Sequence, residues 1–168
     1  MHAPAAYVAV TRAVRRAETE ADLRAALAVR RTVFVDEQDV PPELEVDEYD
    51  ELGEATHFLA TDDGTPVGAA RLRSYEADAD EHDHEDDDPD VGRAKVERVA
   101  VLADRRGEGF GARLMDAVEA TAETQAFDTL VLHAQTAVEG FYRKRGYRTV
   151  GETFEEAGIP HVEMVREV

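Results

Sequence analysis

Apolar and polar residues fall into blocks whose period changes along the chain. Tyr7 to Val14 is short and β-rich, which predicts a first strand. Leu23, Ala26, Leu27 and Arg30 then recur at helical spacing, so a helix is expected to run to about Thr32. Its start, Thr19-Glu20-Ala21-Asp22, resembles a capping box with Asp in place of the usual Glu or Gln. Val33 to Gln38 follows, and Pro41-Pro42 is expected to break any helix. Residues 39–54 are acidic and irregular and read as a loop lining a substrate mouth. Thr56 to Thr61 and Val67 to Tyr75 read as two strands joined by the hairpin turn Asp62-Asp63-Gly64, with Arg71 and Arg73 sharing the more polar face.

Beyond a break at 76–90, Val96 to Val101 is apolar and Val-rich, as in a buried strand. A glycine-rich turn leads into Leu114, Ala117, Val118 and Ala122 at helical spacing. Thr129 to Gln135 reads as another buried strand, and Ala137 to Arg145 as a short helix closed by Gly146. Tyr147 to Phe154 and His161 to Val168 read as strands around a turn at Glu155 to Pro160. The order β-α-loop-β-β-β-α-β-α-β-β predicts an α/β (α+β) fold with a mixed, mostly antiparallel sheet and helices on both faces.

The strand and turn at Val96 to Ala112 organise the rest. Strand, glycine-rich turn and helix N-terminus together hold phosphate well, because the first helical N–H groups lack intrahelical partners and the macrodipole adds positive potential. Gly109 and Gly111 remove side chains where a pyrophosphate must approach the backbone, and Arg105 and Arg106 are expected to add charge. The segment is neither a Walker loop nor a complete dinucleotide fingerprint. Taken alone, it also fits a tight strand–helix turn with two packing glycines.

Composition narrows the setting. The 168 residues read as one domain, 1–168, with 43% hydrophobic content. No apolar run is long enough for a membrane span, and no signal-peptide pattern opens the chain. There is no Cys, which excludes disulfides and thiolate chemistry, so a cytoplasmic address is expected. The net charge of −19 argues against nucleic-acid and anionic-membrane partners. Lys95 and Lys144 are the sole lysines among 19 basic residues. Heavy acid with scarce Lys points to a halophilic protein, in which screening relieves self-repulsion, although a merely acidic protein with a charged loop would share the composition. The thermal midpoint is therefore expected to rise steeply from low salt to molar KCl; a flat midpoint would remove the halophile reading. Residues 76–90 hold ten acids in fifteen positions, too polar for a core, and read as a solvated insertion in a hairpin. His82 and His84 lie inside it with nothing to fix ligand geometry, so no metal is expected.

Arg106-x-x-Gly109-x-Gly111 after a Val-rich strand resembles the coenzyme-A motif of the GNAT (GCN5-related) acyltransferases, Gln/Arg-x-x-Gly-x-Gly/Ala. The element order is similar to the GNAT order over nearly the whole chain. Ala137-x-x-x-Phe141-Tyr142-x-x-x-Gly146-Tyr147 looks like the family's helix bearing the catalytic Tyr. Arg31-x-Val33-Phe34-Val35-x-Glu37-Gln38, Ala134-Gln135 and Gly158-Ile159-Pro160-His161 with Met164 resemble the ElaA-like branch, whose acceptors are undefined. The insertion at 76–90 departs from the common pattern.

The resemblance implies the GNAT acyl-CoA N-acyltransferase fold and acetyl-CoA as co-substrate, with no metal. It places the pyrophosphate at the N–H groups of Arg106, Gly107, Glu108, Gly109, Phe110, Gly111 and Ala112. It lays the pantetheine arm along Val99, Ala100 and Val101, pairing like an added strand, with a backbone N–H there polarising the carbonyl. Tyr142 matches the general acid that protonates the leaving thiolate, and could equally be a core aromatic beside Phe141. With no Cys and only Ser74 as a serine, direct transfer in a ternary complex is expected.

The base is open. Glu97, two residues before Val99, is expected on the same side of the strand, where an apolar setting would raise its pKa. It could instead pair with Arg71 or Arg73. His133 is a second candidate, water a third, and His57 and His161 could line the acceptor side. The function expected is acetyl transfer to a small-molecule amine or an exposed amino group, with a homodimer as an option. A non-catalytic acyl-CoA-binding sensor or interaction module would share the phosphate loop without needing Tyr142 or Glu97.

Overall fold

The computed structural model describes residues 11–75 and 92–168. The insertion at 76–90, with His82 and His84, and the beginning of the predicted first strand lie outside the described residues. Among the described residues seven strands form one sheet in the order β1-β2-β3-β4-β5-β7-β6. The strands are β1 Arg12–Arg16, β2 Thr56–Asp62, β3 Thr65–Ser74, β4 Arg93–Val101, β5 Thr129–Gln135, β6 Arg148–Glu156 and β7 Ile159–Glu167. All neighbours run antiparallel except β4 and β5, which are parallel.

Helix α1, Glu20–Arg30, begins where the capping pattern placed it: Thr19 Oγ1 accepts from the Asp22 N–H at 3.1 Å. Such a cap contributes about 1 kcal/mol. The Asp22 carboxylate turns to Arg15 instead of reaching back to the cap. The α-helix ends at Arg30, close to the expected Thr32, but the chain stays helical beyond it. It widens into a π-type turn over Arg31–Glu37 and carries Val33 into the core. No helix runs through Pro41-Pro42, as expected; Pro42 instead opens a new one, α2, Pro42–Glu45, where its missing N–H costs nothing.

The long helix α3, Phe110–Thr124, follows the glycine-rich turn, and the short α4, Glu139–Arg143, follows β5. Strand alternation divides the core between the two faces of the sheet. Phe58, Leu72, Val96 and Leu132 meet Phe110, Leu114, Met115 and Val118 on the α3 face. Leu59, Ala69 and Ala100 meet Ala26, Val29 and Val33 on the α1 face.

Two irregularities lie at the centre of the sheet. The β4–β5 ladder pairs Arg93 to Val96 with Thr129 to Leu132 and stops at Val96–Leu132. Past that point β4 stays paired with β3, but through a bulge: Arg71 faces Glu97, whereas Ala69 faces Ala100. The extra residue centres on Arg98, whose φ of 55° is left-handed for a non-glycine residue. The bulge corrects one expectation. Glu97 lies with Arg71 on the α1 face, while Val99 packs against the α3-side core. Simple alternation fails because the bulge inserts a residue between them.

Candidate active site

Where β4 and β5 part, a cleft of about 1010 Å³ opens. It is lined by Glu97 to Val101 of β4, Leu132 to Gln135 of β5, Arg105 to Gly107 and Gly109 to Ala112 of the glycine-rich turn, and Tyr142 of α4, while Glu108 does not line it. Val40, Leu44 and Glu45 from the acidic loop form part of another wall. Among the described residues, the β4 edge facing β5 is without a strand partner beyond Val96, since the ladder ends there.

The glycine-rich turn has the local geometry that anion binding requires. Gly109 is the N-cap of α3 with φ 88°, and no side chain caps the helix. A Cβ built on Gly109 would meet nothing within 4 Å, so the turn borders open space. The first N–H groups of α3 are thus offered without a side-chain acceptor.

The two arginines beside it are committed elsewhere. Arg105 pairs with Asp62 and Glu108. Arg106 pairs through both terminal nitrogens with Glu37, at 2.6 and 2.8 Å, and its Nε donates to the Val101 carbonyl at 3.1 Å. The extra positive charge expected from Arg105 and Arg106 is therefore neutralised in this structure, because acids from β2 and the π-type turn reach them across the fold. The Arg106 backbone belongs to the turn; its side chain braces the mouth of the cleft.

Tyr142 lies in the α3-side core, packed edge-on against Phe141 and Tyr147 at centroid distances of 5.0 and 5.8 Å. Its hydroxyl has no hydrogen-bond partner among the described residues. Burial pushes its pKa well above the ordinary tyrosine value, with Arg145 pulling only weakly the other way. The phenol therefore carries its proton at any working pH.

Of the two settings open for Glu97, the structure shows the ion pair with Arg71 and Arg73. Its carboxylate accepts from Arg71 Nε at 3.0 Å and from Arg73 Nε and Nη2 at 2.9 and 3.0 Å. Burial works to raise its pKa, but the hydrogen bonds and charges of Arg73 and Arg71 outweigh that and hold it at about 2. The raised pKa suggested by an apolar strand is thus reversed, because two guanidiniums converge on the same oxygens.

These arginines continue into a buried network. Arg71, 1% exposed, also reaches Asp47 and Asp50, and Arg30, 1% exposed, binds Glu45 and Asp50. Arg98 donates from Nε to the Glu45 carbonyl at 3.1 Å, tying the bulge to α2. The acids Glu45, Asp47 and Asp50 of the 39–54 segment thus face inward. No periodicity signals this, although the excess of acid opposite two strand arginines is a trace of it.

Asp50 shares the depressed state: burial raises its pKa, and Arg30, the Asp47 N–H and Arg71 bring it to about 2. Carboxylates depressed on folding stabilise fully above their ordinary values, and that stability is lost as the pH falls through about 2. Glu97→Gln is therefore expected to be less stable than the wild type near neutral pH, with the gap closing on acidification. Denaturant unfolding at a series of pH values checks this; a gap independent of pH would contradict it.

The histidines separate. His57 is buried away from the cleft, its Nε2 against the Tyr49 carbonyl at 2.9 Å, and burial lowers its pKa despite that contact. It is a satisfied core residue and does not line the acceptor side. His133 and His161 both line the cleft. Among the described residues, no helix is long and apolar enough to cross a membrane.

Residues 32–168 match the acetyltransferase (GNAT) domain family. Over 152 residues the chain is 38% identical to the uncharacterized N-acetyltransferase YjcF of Bacillus subtilis, covering 90% of this chain and 96% of that one. It is 35% identical over 147 residues to protein ElaA of Escherichia coli, covering 87% and 88%. The ElaA crystal structure superposes with a TM-score of 0.74 at 28% identity, over 94% of this chain and 99% of that one. An acyl-CoA N-acyltransferase from Pseudomonas aeruginosa superposes at 0.72, with 31% identity over 94% and 99% of the two chains.

Proposed function

The chain belongs to the GNAT acetyltransferase family, and on that footing we propose that it transfers an acetyl group from acetyl-CoA to a primary amine by direct attack in a ternary complex. The observation that carries this reading is the parting of β4 from β5 after Val96–Leu132, with the glycine-rich turn and Tyr142 lining the same cleft. Acetyl-CoA fits the residues present: open space borders Gly109, α3 has no side-chain cap, and one edge of β4 lacks a strand partner among the described residues. When bound, it supplies the thioester acetyl group.

The N–H groups of the turn, from Arg106 to Ala112, hold the pyrophosphate. Val99, Ala100 and Val101 bind the pantetheine arm along the free edge of β4, and a backbone N–H there polarises the acetyl carbonyl. Tyr142 Oη gives its proton to the sulfur as the thiol leaves. Glu97, held at about 2, is a poor base. Its part is to anchor Arg71 and Arg73 beneath the bulge.

The test is release of coenzyme-A thiol from acetyl-CoA across a panel of primary amines in molar KCl. Gly109→Val is expected to weaken acetyl-CoA binding roughly tenfold or more, since the free turn relaxes out of its left-handed conformation and binding must restore about 1–2 kcal/mol of strain. The branched side chain also enters the space where the pyrophosphate would lie. Calorimetry reads the affinity, and circular dichroism confirms that the variant is folded. Unchanged affinity in a folded variant would count against the phosphate site.

A further inference from the structure

Resting on the acetyltransferase reading, we propose that His133 is the catalytic base that deprotonates the amine, and that Glu156 is its positioning residue. Glu97 leaves the role vacant, because two guanidiniums already occupy its oxygens. His133 stands in the neighbouring position on β5. Val96 and Leu132 are the last register pair before the strands part, and both turn into the α3-side core. The next residues, Glu97 and His133, therefore turn to the opposite face. Tyr142 lies on the α3 side. All three line the cleft, so acid and base flank the strand opening from opposite faces of the sheet.

The imidazole is oriented as a base requires. Its Nδ1 lies 2.6 Å from Glu156 Oε1, and its ring meets Phe154 edge-on at 4.9 Å. Glu156 is held below the ordinary carboxylate value, chiefly by that hydrogen bond. An ionised carboxylate only accepts, so Nδ1 carries a proton, and in the neutral ring it is Nε2 that presents the lone pair. Nε2 has no hydrogen-bond partner among the described residues. A base oriented by a carboxylate beyond it is a recurring arrangement for activating nucleophiles.

The step balances. His133 Nε2 takes the proton that the amine loses as its N–C bond forms, and Tyr142 Oη returns a proton to sulfur as the C–S bond breaks. Solvent then restores both residues, leaving amide and thiol from amine and thioester.

Two measurements test this. Long-range ¹H–¹⁵N spectra of ¹⁵N-histidine-labelled protein report the tautomer directly. His133 is expected as the Nδ1–H form in the wild type. It should lose that preference in Glu156→Ala and keep it in Glu156→Gln, which retains an acceptor. An Nε2–H form in the wild type overturns the proposal. Turnover is then followed with acetyl-CoA and three probe amines: benzylamine, spermidine and an alanyl-terminated peptide. His133→Gln is expected to lose about 10²–10⁴-fold in kcat, with acetyl-CoA affinity and the circular dichroism spectrum preserved. Glu156→Ala should lose less. Wild-type turnover in His133→Gln overturns the base assignment alone. Failure of the wild type on all three amines, despite tight acetyl-CoA binding, overturns the transfer reading and the base with it.

Discussion

Tyr142→Phe is expected to lower kcat by about 10²–10⁴-fold while leaving acetyl-CoA affinity nearly unchanged. A general acid matters in the transition state and little in the ground state, so its loss appears in kcat. The substitution is clean for a structural reason. The ring keeps its edge-on contacts with Phe141 and Tyr147. The hydroxyl it removes has no partner among the described residues, so no buried donor or acceptor is orphaned. The thermal midpoint should therefore barely move. Because burial raises the Tyr142 pKa, the wild-type pH–rate profile should show no fall near neutrality from this group. Undiminished kcat in Tyr142→Phe would sink the acid role and leave Tyr142 as a core aromatic.

Arg71→Met is expected to cost about 3–5 kcal/mol of stability, the usual result of breaking a buried ion pair from one side. Arg71 is enclosed and bonds to Asp47, Asp50 and Glu97 together. Met fills much of the volume but leaves three carboxylates short of a partner. Asp50 retains Arg30 and Glu97 retains Arg73, which keeps the loss within that range. Asp47 sits in the segment that carries Val40 and Leu44 to the cleft wall, so acceptor affinity should fall as well. Denaturant unfolding measures the first effect and KM for the amine the second. A variant as stable as the wild type would mean that the network is neutral and that the 39–54 segment is held by packing alone.

The two predictions differ in how far the sequence could carry them. The helix that carries Tyr142 was legible because its marks are local: a short helical run, Phe141 beside Tyr142, and Gly146 closing the run with φ 92°. The glycine-rich turn was legible for the same reason, since a strand, a left-handed glycine and an amphipathic helix are each set by neighbours within a few residues. The role of Arg71 was legible in part: its pairing with Glu97 was open from the sequence, but its link to the 39–54 segment was not. On a strand whose polar face carries Arg71 and Arg73, period-2 alternation marks the face as polar and does not say that Arg71 is enclosed. Its partners Asp47 and Asp50 come from more than twenty positions away.

By itself, the sequence determined the order of the elements, β5 at Thr129–Gln135, the Arg106–Ala112 turn leading into α3, and the helix that carries Tyr142. Hydrophobic period, capping and glycine conformation are properties of short stretches, so they survive without knowledge of the fold. Tertiary structure alone decided the rest: the bulge at Arg98 that sends Glu97 and Val99 to opposite faces, the depressed Glu97 carboxylate, and the Glu156 contact that orients His133. Each depends on which charged group arrives from another strand or loop. A residue's pattern records whether it is buried, whereas its charge state and chemistry depend on what it is buried against.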